Sequence, residues 1–175
     1  MIKEKYAKEI EVLLARYPDT LSAVLPLMHL AQNEYGYMTK GAMREVAEIL
    51  DIDPTHVLML AGFYTLYHEE KTGKFVLEIC NDLACALCGA DEFVEMACRK
   101  LGIEPHGTTE DGLFTVIPVM CLGACDKAPM LQCNLKFEEK LDEASFDQLI
   151  ERLRAEAAAG KGDPTVVERI AAFYN

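Results

Sequence analysis

Hydrophobic positions follow two different rhythms along this chain, and the change comes near residue 71. Before it, apolar side chains recur every three or four residues, the period of a helix with one buried face. Ile2, Tyr6, Ile10, Leu13 and Leu14 keep that spacing with Lys and Glu between them, and Pro18 ends the run. Asp19-Thr20 offers a cap for a second helix through Leu21, Val24, Leu25, Met28 and Leu30 to about Asn33. Pro26 inside it predicts a kink or a late start. Thr39 caps a third helix facing inward with Met43, Val46, Ala47, Ile49 and Leu50. Asp53-Pro54 is a good N-cap and first-turn pair for a fourth, carrying Val57, Leu58, Leu60, Phe63 and Leu66.

After the turn at Lys71-Thr72-Gly73-Lys74 the runs become short and apolar, as buried strands are. Phe75 to Ile79 is one strand, ending at Cys80, and Leu113 to Val119 is another, ending just before Cys121. Pro118 suits a strand end or a sheet edge. Between them, Asp91 to Leu101 has helical period, with Phe93, Val94, Ala97, Cys98 and Leu101 inward. Pro129 to Asn134 and Lys136 to Lys140 suit a hairpin. Ser145 to about Ala158 reads as an amphipathic helix facing inward with Phe146, Leu149, Ile150 and Leu153. The order β-α-β-β-β-α resembles thioredoxin. The expected fold class is α+β: an N-terminal helical bundle over residues 1–71, then a thioredoxin-like α/β domain over 72–158. A C-terminal extension, 159–175, begins with the linker Gly160-Lys161-Gly162. Asp163-Pro164 there caps a short helix with Val166, Val167, Ile170 and Phe173 on one side.

Composition narrows the class of partner. In 175 residues, 51% are apolar and 26% charged, enough for a proper core. The net charge of −12 argues against nucleic acid or an anionic membrane as a partner. The longest apolar run, Val57 to Tyr67, is about half of the roughly 20 residues that span a bilayer. Met1-Ile2-Lys3-Glu4-Lys5 lacks the apolar core of a signal peptide, so the expected location is the cytoplasm. There, seven cysteines are expected to be thiols, with regularly spaced ones binding metal.

Four of those cysteines form two short pairs, Cys80-x4-Cys85 and Cys121-x3-Cys125, each following an apolar strand. Thiolates on loops at strand ends suit an iron–sulfur centre. In one scheme these four hold a single [2Fe–2S] cluster, with Gly123 and Ala124 small enough for backbone N–H groups to approach it. In a second, Cys80, Cys85 and Cys88 supply the plant-type C-x4-C-x2-C spacing with Cys121 as a distant fourth, but Cys125 is left without a role. A structural zinc ion favours tight C-x2-C knuckles, which neither pair has. A redox pair at Cys85 and Cys88 would leave Cys121 and Cys125 unexplained. Cys88, Cys98 and Cys133 are expected to be small buried core residues. His29, His56, His68 and His106 are scattered, without metal or triad spacing. Phe63, Tyr64 and Tyr67 are expected to pack in the core, with docking against a partner as the functional alternative. There is no G-x-G-x-x-G and no Walker motif, so any nucleotide-linked activity would need a nucleotide site on a partner.

Cys80-x4-Cys85 followed by Gly89, then Cys121-Leu122-Gly123-Ala124-Cys125 followed by Ala128-Pro129, resembles the thioredoxin-like [2Fe–2S] subunit of the NADH-oxidising module of respiratory complex I. Glu34-Tyr35-Gly36-Tyr37 and Ala61-Gly62-Phe63-Tyr64-Thr65-Leu66-Tyr67 are similar to that family's helical half. The likeness covers roughly residues 10 to 155. It implies one [2Fe–2S] cluster on Cys80, Cys85, Cys121 and Cys125. It also implies a larger flavoprotein partner that binds NADH and FMN and holds its own [4Fe–4S] cluster. The small subunit would exchange single electrons with the flavin, off the main wire to quinone. It would sit at the inner face of the membrane within a complex, without direct membrane insertion. The same module is reused in NAD-linked hydrogenases and formate dehydrogenases. Cys88 departs from the family pattern, and the segment from about Gly160 lies outside the match.

Overall fold

The computed structural model describes residues 1–160; the short helix expected around Val166 to Phe173 lies outside them. The described chain forms two compact units, residues 1–71 and residues 72–160.

The first unit is helical. Helices α1 (Ile2–Lys5) and α2 (Ala7–Leu14) stand where one continuous helix was expected. The break falls at Tyr6, whose hydroxyl donates to Glu34 at 2.8 Å while the Lys5 ammonium pairs with the same carboxylate at 2.6 Å. Tertiary contacts to Glu34 thus override the local helical period. A 3-10 turn over Thr20–Ala23, capped by the Asp19 side chain, leads into α3 (Val24–Tyr35). Pro26 therefore falls in the first turn of α3, where its missing N–H breaks no helical bond, so the late start holds and no kink is needed.

Helix α4 (Lys40–Leu50) begins at Thr39, whose hydroxyl accepts the Ala42 N–H at 3.0 Å. Helix α5 (Pro54–Phe63) begins at Asp53, which accepts the Thr55 N–H at 2.7 Å. Leu27, Met28, Val46 and Val57 are fully buried where these helices pack. The chain after α5 is stitched back onto α3. The Gln32 amide donates to the Leu66 carbonyl and accepts the His68 N–H, and the Tyr67 hydroxyl donates to the Leu25 carbonyl. The aromatic group therefore divides: Tyr67 is core, but Phe63 is 76% exposed and Tyr64 partly so. Helix α5 ends at Phe63, which turns that ring away from the packed face.

The second unit is a four-stranded sheet in the order β2-β1-β3-β4. Strand β1 (Phe75–Cys80) pairs parallel with β2 (Phe114–Val119) and antiparallel with β3 (Leu131–Cys133), which pairs antiparallel with β4 (Lys136–Glu138). Pro118 lies on the edge strand β2, as a residue without an N–H must. Alternation along β1 sends Phe75, Leu77 and Ile79 into a core shared with helices α7 (Ala90–Leu101) and α8 (Glu143–Ala158). Phe93 and Phe146 meet edge to face there at 5.6 Å. Asp142 and Ser145 form a reciprocal capping box at the start of α8. No helix among the described residues is long and apolar enough to cross a membrane.

Candidate metal centre

The parallel pairing of β1 and β2 brings the two cysteine loops to one end of the sheet. Cys80, the last residue of β1, is the register partner of Val119, the last residue of β2, and Cys121 follows two residues later. The Asn81 N–H donates to the Val119 carbonyl at 3.1 Å, so the strands stay joined as they enter their loops. Crevices at the carboxyl ends of adjacent parallel strands are where α/β folds bind ligands.

Cys85 reaches this crevice from a short helix, α6 (Leu83–Ala86), where sequence reasoning expected only loop. Cys80 and Cys85 are each 2% exposed, in a pocket walled by the fully buried Ala90 and Met130. Leu122, Ala124 and Ala128 pack against them. Cys121 and Cys125 lie on the solvent side and are exposed. Gly123, at φ +78, turns the second loop so that its N–H donates to the Cys121 sulfur at 3.4 Å. A 3-10 turn over Cys125–Lys127 closes the loop, and the Ala128-Pro129 peptide that follows is cis. The Lys140 N–H bonds the Lys127 carbonyl and the Leu141 N–H bonds the Pro129 carbonyl, each at 2.8 Å, anchoring this segment beneath the site.

The four sulfurs feel one another. Burial pushes the Cys85 thiol up to about 12, reinforced by its hydrogen bond to the Cys80 sulfur and by the nearness of Cys80, Cys125 and Cys121. The Cys125 thiol is also raised, chiefly by the negative charge of Cys121 and by a hydrogen bond to it, with a contribution from Cys80. Crowded, buried thiols resist losing their protons, because each thiolate would raise the cost of the next. Cys88 figures in neither of these interactions.

All seven cysteines are free thiols. Cys98 and Cys133 sit in the sheet core, as expected. Cys88 does not: it is exposed. It follows Cys85 by three residues and lies just past the end of α6. Among the described residues, no three Cys, His, Asp or Glu side chains converge where one ion could sit. Four cysteine thiols are a donor set that a two-iron group takes.

Two residues that line the site, and a third buried nearby in sequence, were missed from sequence. Met130 and Ala90 wall the pocket, and only their places after Pro129 and Gly89 hinted at it. Glu78, two residues before Cys80, is buried within β1, and burial raises its carboxyl pKa. A lone charge inside an apolar strand was the available signal.

Comparison with known proteins shows the family. Residues 10–154 match the family model described as thioredoxin-like [2Fe-2S] ferredoxin. The chain is 42% identical over 165 residues to an NADH-quinone oxidoreductase subunit of Rhizobium meliloti, covering 94% of this chain and 95% of that protein. It is 36% identical over 160 residues to an NADH-quinone oxidoreductase subunit of Mycobacterium bovis, covering 90% of this chain and 62% of that longer protein. Among solved structures, an NAD+-reducing [NiFe]-hydrogenase shares the fold at a TM-score of 0.64 and 22% identity. That match covers 74% of this chain but only 23% of the hydrogenase chain. The chain belongs to the thioredoxin-like [2Fe–2S] ferredoxin family.

Proposed function

We propose that the chain is the electron-transfer subunit of an NADH:quinone oxidoreductase, holding one [2Fe–2S] cluster on Cys80, Cys85, Cys121 and Cys125. The observation that carries this is the parallel pairing of β1 and β2, which brings the loops bearing those four thiols to one end of the sheet. When bound, the cluster supplies one-electron chemistry. Cys80 and Cys85 anchor it from the buried side, and Cys121 and Cys125 close it from the solvent side. The Gly123 N–H donates to sulfur and so favours added negative charge. Electron exchange of this kind needs no side chain to act as acid, base or nucleophile. The chain alone is therefore not a catalyst but part of an oxidoreductase.

Hydride transfer from NADH moves two electrons, so a flavin must stand between it and a one-electron carrier. The expected partner is a flavoprotein that binds NADH and FMN and carries a [4Fe–4S] cluster. In such an assembly the chain sits peripherally at the cytoplasmic face of the membrane. The hydrogenase likeness supports a second reading, the equivalent subunit of an NAD-linked hydrogenase or formate dehydrogenase.

Anaerobic purification of the full chain tests the site. The expected product is red-brown, with two irons and two sulfides per chain and a rhombic EPR signal on reduction. A colourless chain that takes up zinc and no iron would sink the reading. Co-purification of the flavoprotein tests the partner.

A further inference from the structure

Helix α5 carries apolar side chains on every side, yet the helical unit buries only one of them. Val57 and Ala61 are buried and Leu60 is half-buried against the core. Leu58, Met59 and Phe63 face outward, Met59 at 62% exposure and Phe63 at 76%. A helix that is apolar all round is one that packing covers on more than one side.

The sequence repeats this helix further along the chain. Asp163-Pro164-Thr165-Val166-Val167-Glu168-Arg169-Ile170-Ala171-Ala172-Phe173-Tyr174 aligns without a gap on Asp53-Pro54-Thr55-His56-Val57-Leu58-Met59-Leu60-Ala61-Gly62-Phe63-Tyr64, and seven of the twelve positions are identical. The second copy lies outside the described residues. Its start carries the same cap sequence: Asp53 accepts the Thr55 N–H at 2.7 Å with Pro54 in the first turn, and Asp163-Pro164-Thr165 repeats those three residues. The core-facing positions stay apolar, since Val57, Leu60 and Ala61 correspond to Val167, Ile170 and Ala171. The exposed pair does not, since Leu58 and Met59 correspond to Glu168 and Arg169. Stacked helical layers have this relation: an inner helix is apolar on two faces, and the helix that caps it keeps the inner face and makes the outer one polar.

We propose that residues 163–175 dock as a capping helix on the exposed face of α5 in the same chain, over Leu58, Met59 and Phe63. A helix of this length does not hold in water alone and needs an apolar surface to lie on. The exposed face of α5 is uncharged and of matching length, about 15 Å for ten residues. Val166, Val167, Ile170 and Phe173 then cover it, while Glu168 and Arg169 face solvent. Tethering concentrates the segment at its own α5 far above the level of a free second copy. The inference does not depend on the cluster assignment.

Photo-crosslinking of the full chain, with p-benzoyl-phenylalanine in place of Phe173, tests the contact. The expected product has the mass of one chain, its crosslinked peptide lies between Leu58 and Leu66, and its yield does not change with protein concentration. Ile170→Asp, on the inward face, should abolish it, and Glu168→Gln, on the outward face, should leave it unchanged. A product of two chains would make a second copy the occupant and overturns the proposal. A crosslink elsewhere, no crosslink, or an undiminished yield in Ile170→Asp overturns it too. Hydrogen exchange gives a readout that needs no probe. In the unaltered chain the amides from Val166 to Tyr174 should be protected. Met59→Asp changes only an exposed side chain and should speed their exchange about tenfold or more. Unprotected amides in that stretch, or no change in Met59→Asp, overturn the proposal.

Discussion

The Gly123 N–H donates to the Cys121 sulfur at 3.4 Å, and it does so because Gly123 holds a left-handed backbone at φ +78. A Cβ at this position would meet nothing within 4 Å, so only the backbone conformation is constrained. Gly123→Ala should therefore fold but carry about 1 kcal/mol of strain in the loop. Relaxing that strain rotates the N–H away from the sulfur. The reduced cluster loses a donor, so its midpoint potential should become more negative while iron content stays the same. Potentiometric titration followed by EPR reads the shift. An unchanged or more positive potential would show that this N–H does not tune the site.

Cys85 and Cys88 are separated by one turn of chain yet differ completely in burial, and this separates the competing ligand sets. Cys88→Ala should retain full iron and sulfide content and an unaltered EPR line shape. Its effect on stability should lie within about 0.5 kcal/mol, as for other exposed positions. Alanine at Cys80, Cys85, Cys121 or Cys125 should each prevent a stable cluster. If Cys88→Ala loses the cluster while Cys125→Ala keeps it, the plant-type ligand set is the correct one.

What was legible in the sequence follows from which forces are local. Strand β1 and its terminal Cys80 could be read because a run of six residues that is apolar except at Glu78 has few other uses. The edge position of β2 could be read because Pro118 lacks a donor. Thr39 and Asp53 announced helix starts through caps that reach only two or three residues, whereas the cap at Asp142 went unread and α8 starts two residues before the expected Ser145. Helix α6 could not be read, since four residues show no periodicity and the element exists through tertiary packing of Cys85. The break at Tyr6 was invisible because its cause, Glu34, lies 28 residues away. Cys88 misled for the same reason: spacing shows that thiols are near one another, but only the path of the backbone shows which of them turn inward.

Tyr35 and Glu45 form a polar contact inside the helical unit. The Tyr35 hydroxyl donates to the Glu45 carboxylate at 2.6 Å, and the Lys3 N–H donates to its other oxygen at 3.3 Å. Glu45 is buried, and its bond to Tyr35 raises the tyrosine pKa. Tyr35→Phe leaves that carboxylate with one donor fewer and should cost about 1–3 kcal/mol. Glu45→Gln keeps an acceptor for Tyr35 and should cost less. Urea unfolding followed by circular dichroism measures both. Equal loss in the two variants would mean that the contact is worth little and that side-chain packing alone holds α1 to α4.

The ring of His29 lies 4.7 Å from that of Tyr67, tilted by 45°, and both belong to the helical unit. Burial lowers the pKa of His29 and that of nearby His68, because an imidazolium there would lose its hydration. The unfolded chain then binds protons more readily than the folded one. Stability from these histidines is complete above the unfolded value of about 6.5 and is lost as pH falls through it toward the lower folded values. The urea midpoint of the helical unit should therefore fall between about pH 7.5 and about pH 5.5. In His29→Gln, which does not titrate, the fall should be smaller, with the remainder carried by His68. A His29→Gln chain whose midpoint falls as steeply as that of the unaltered protein would show that His29 takes up its proton without cost to the fold.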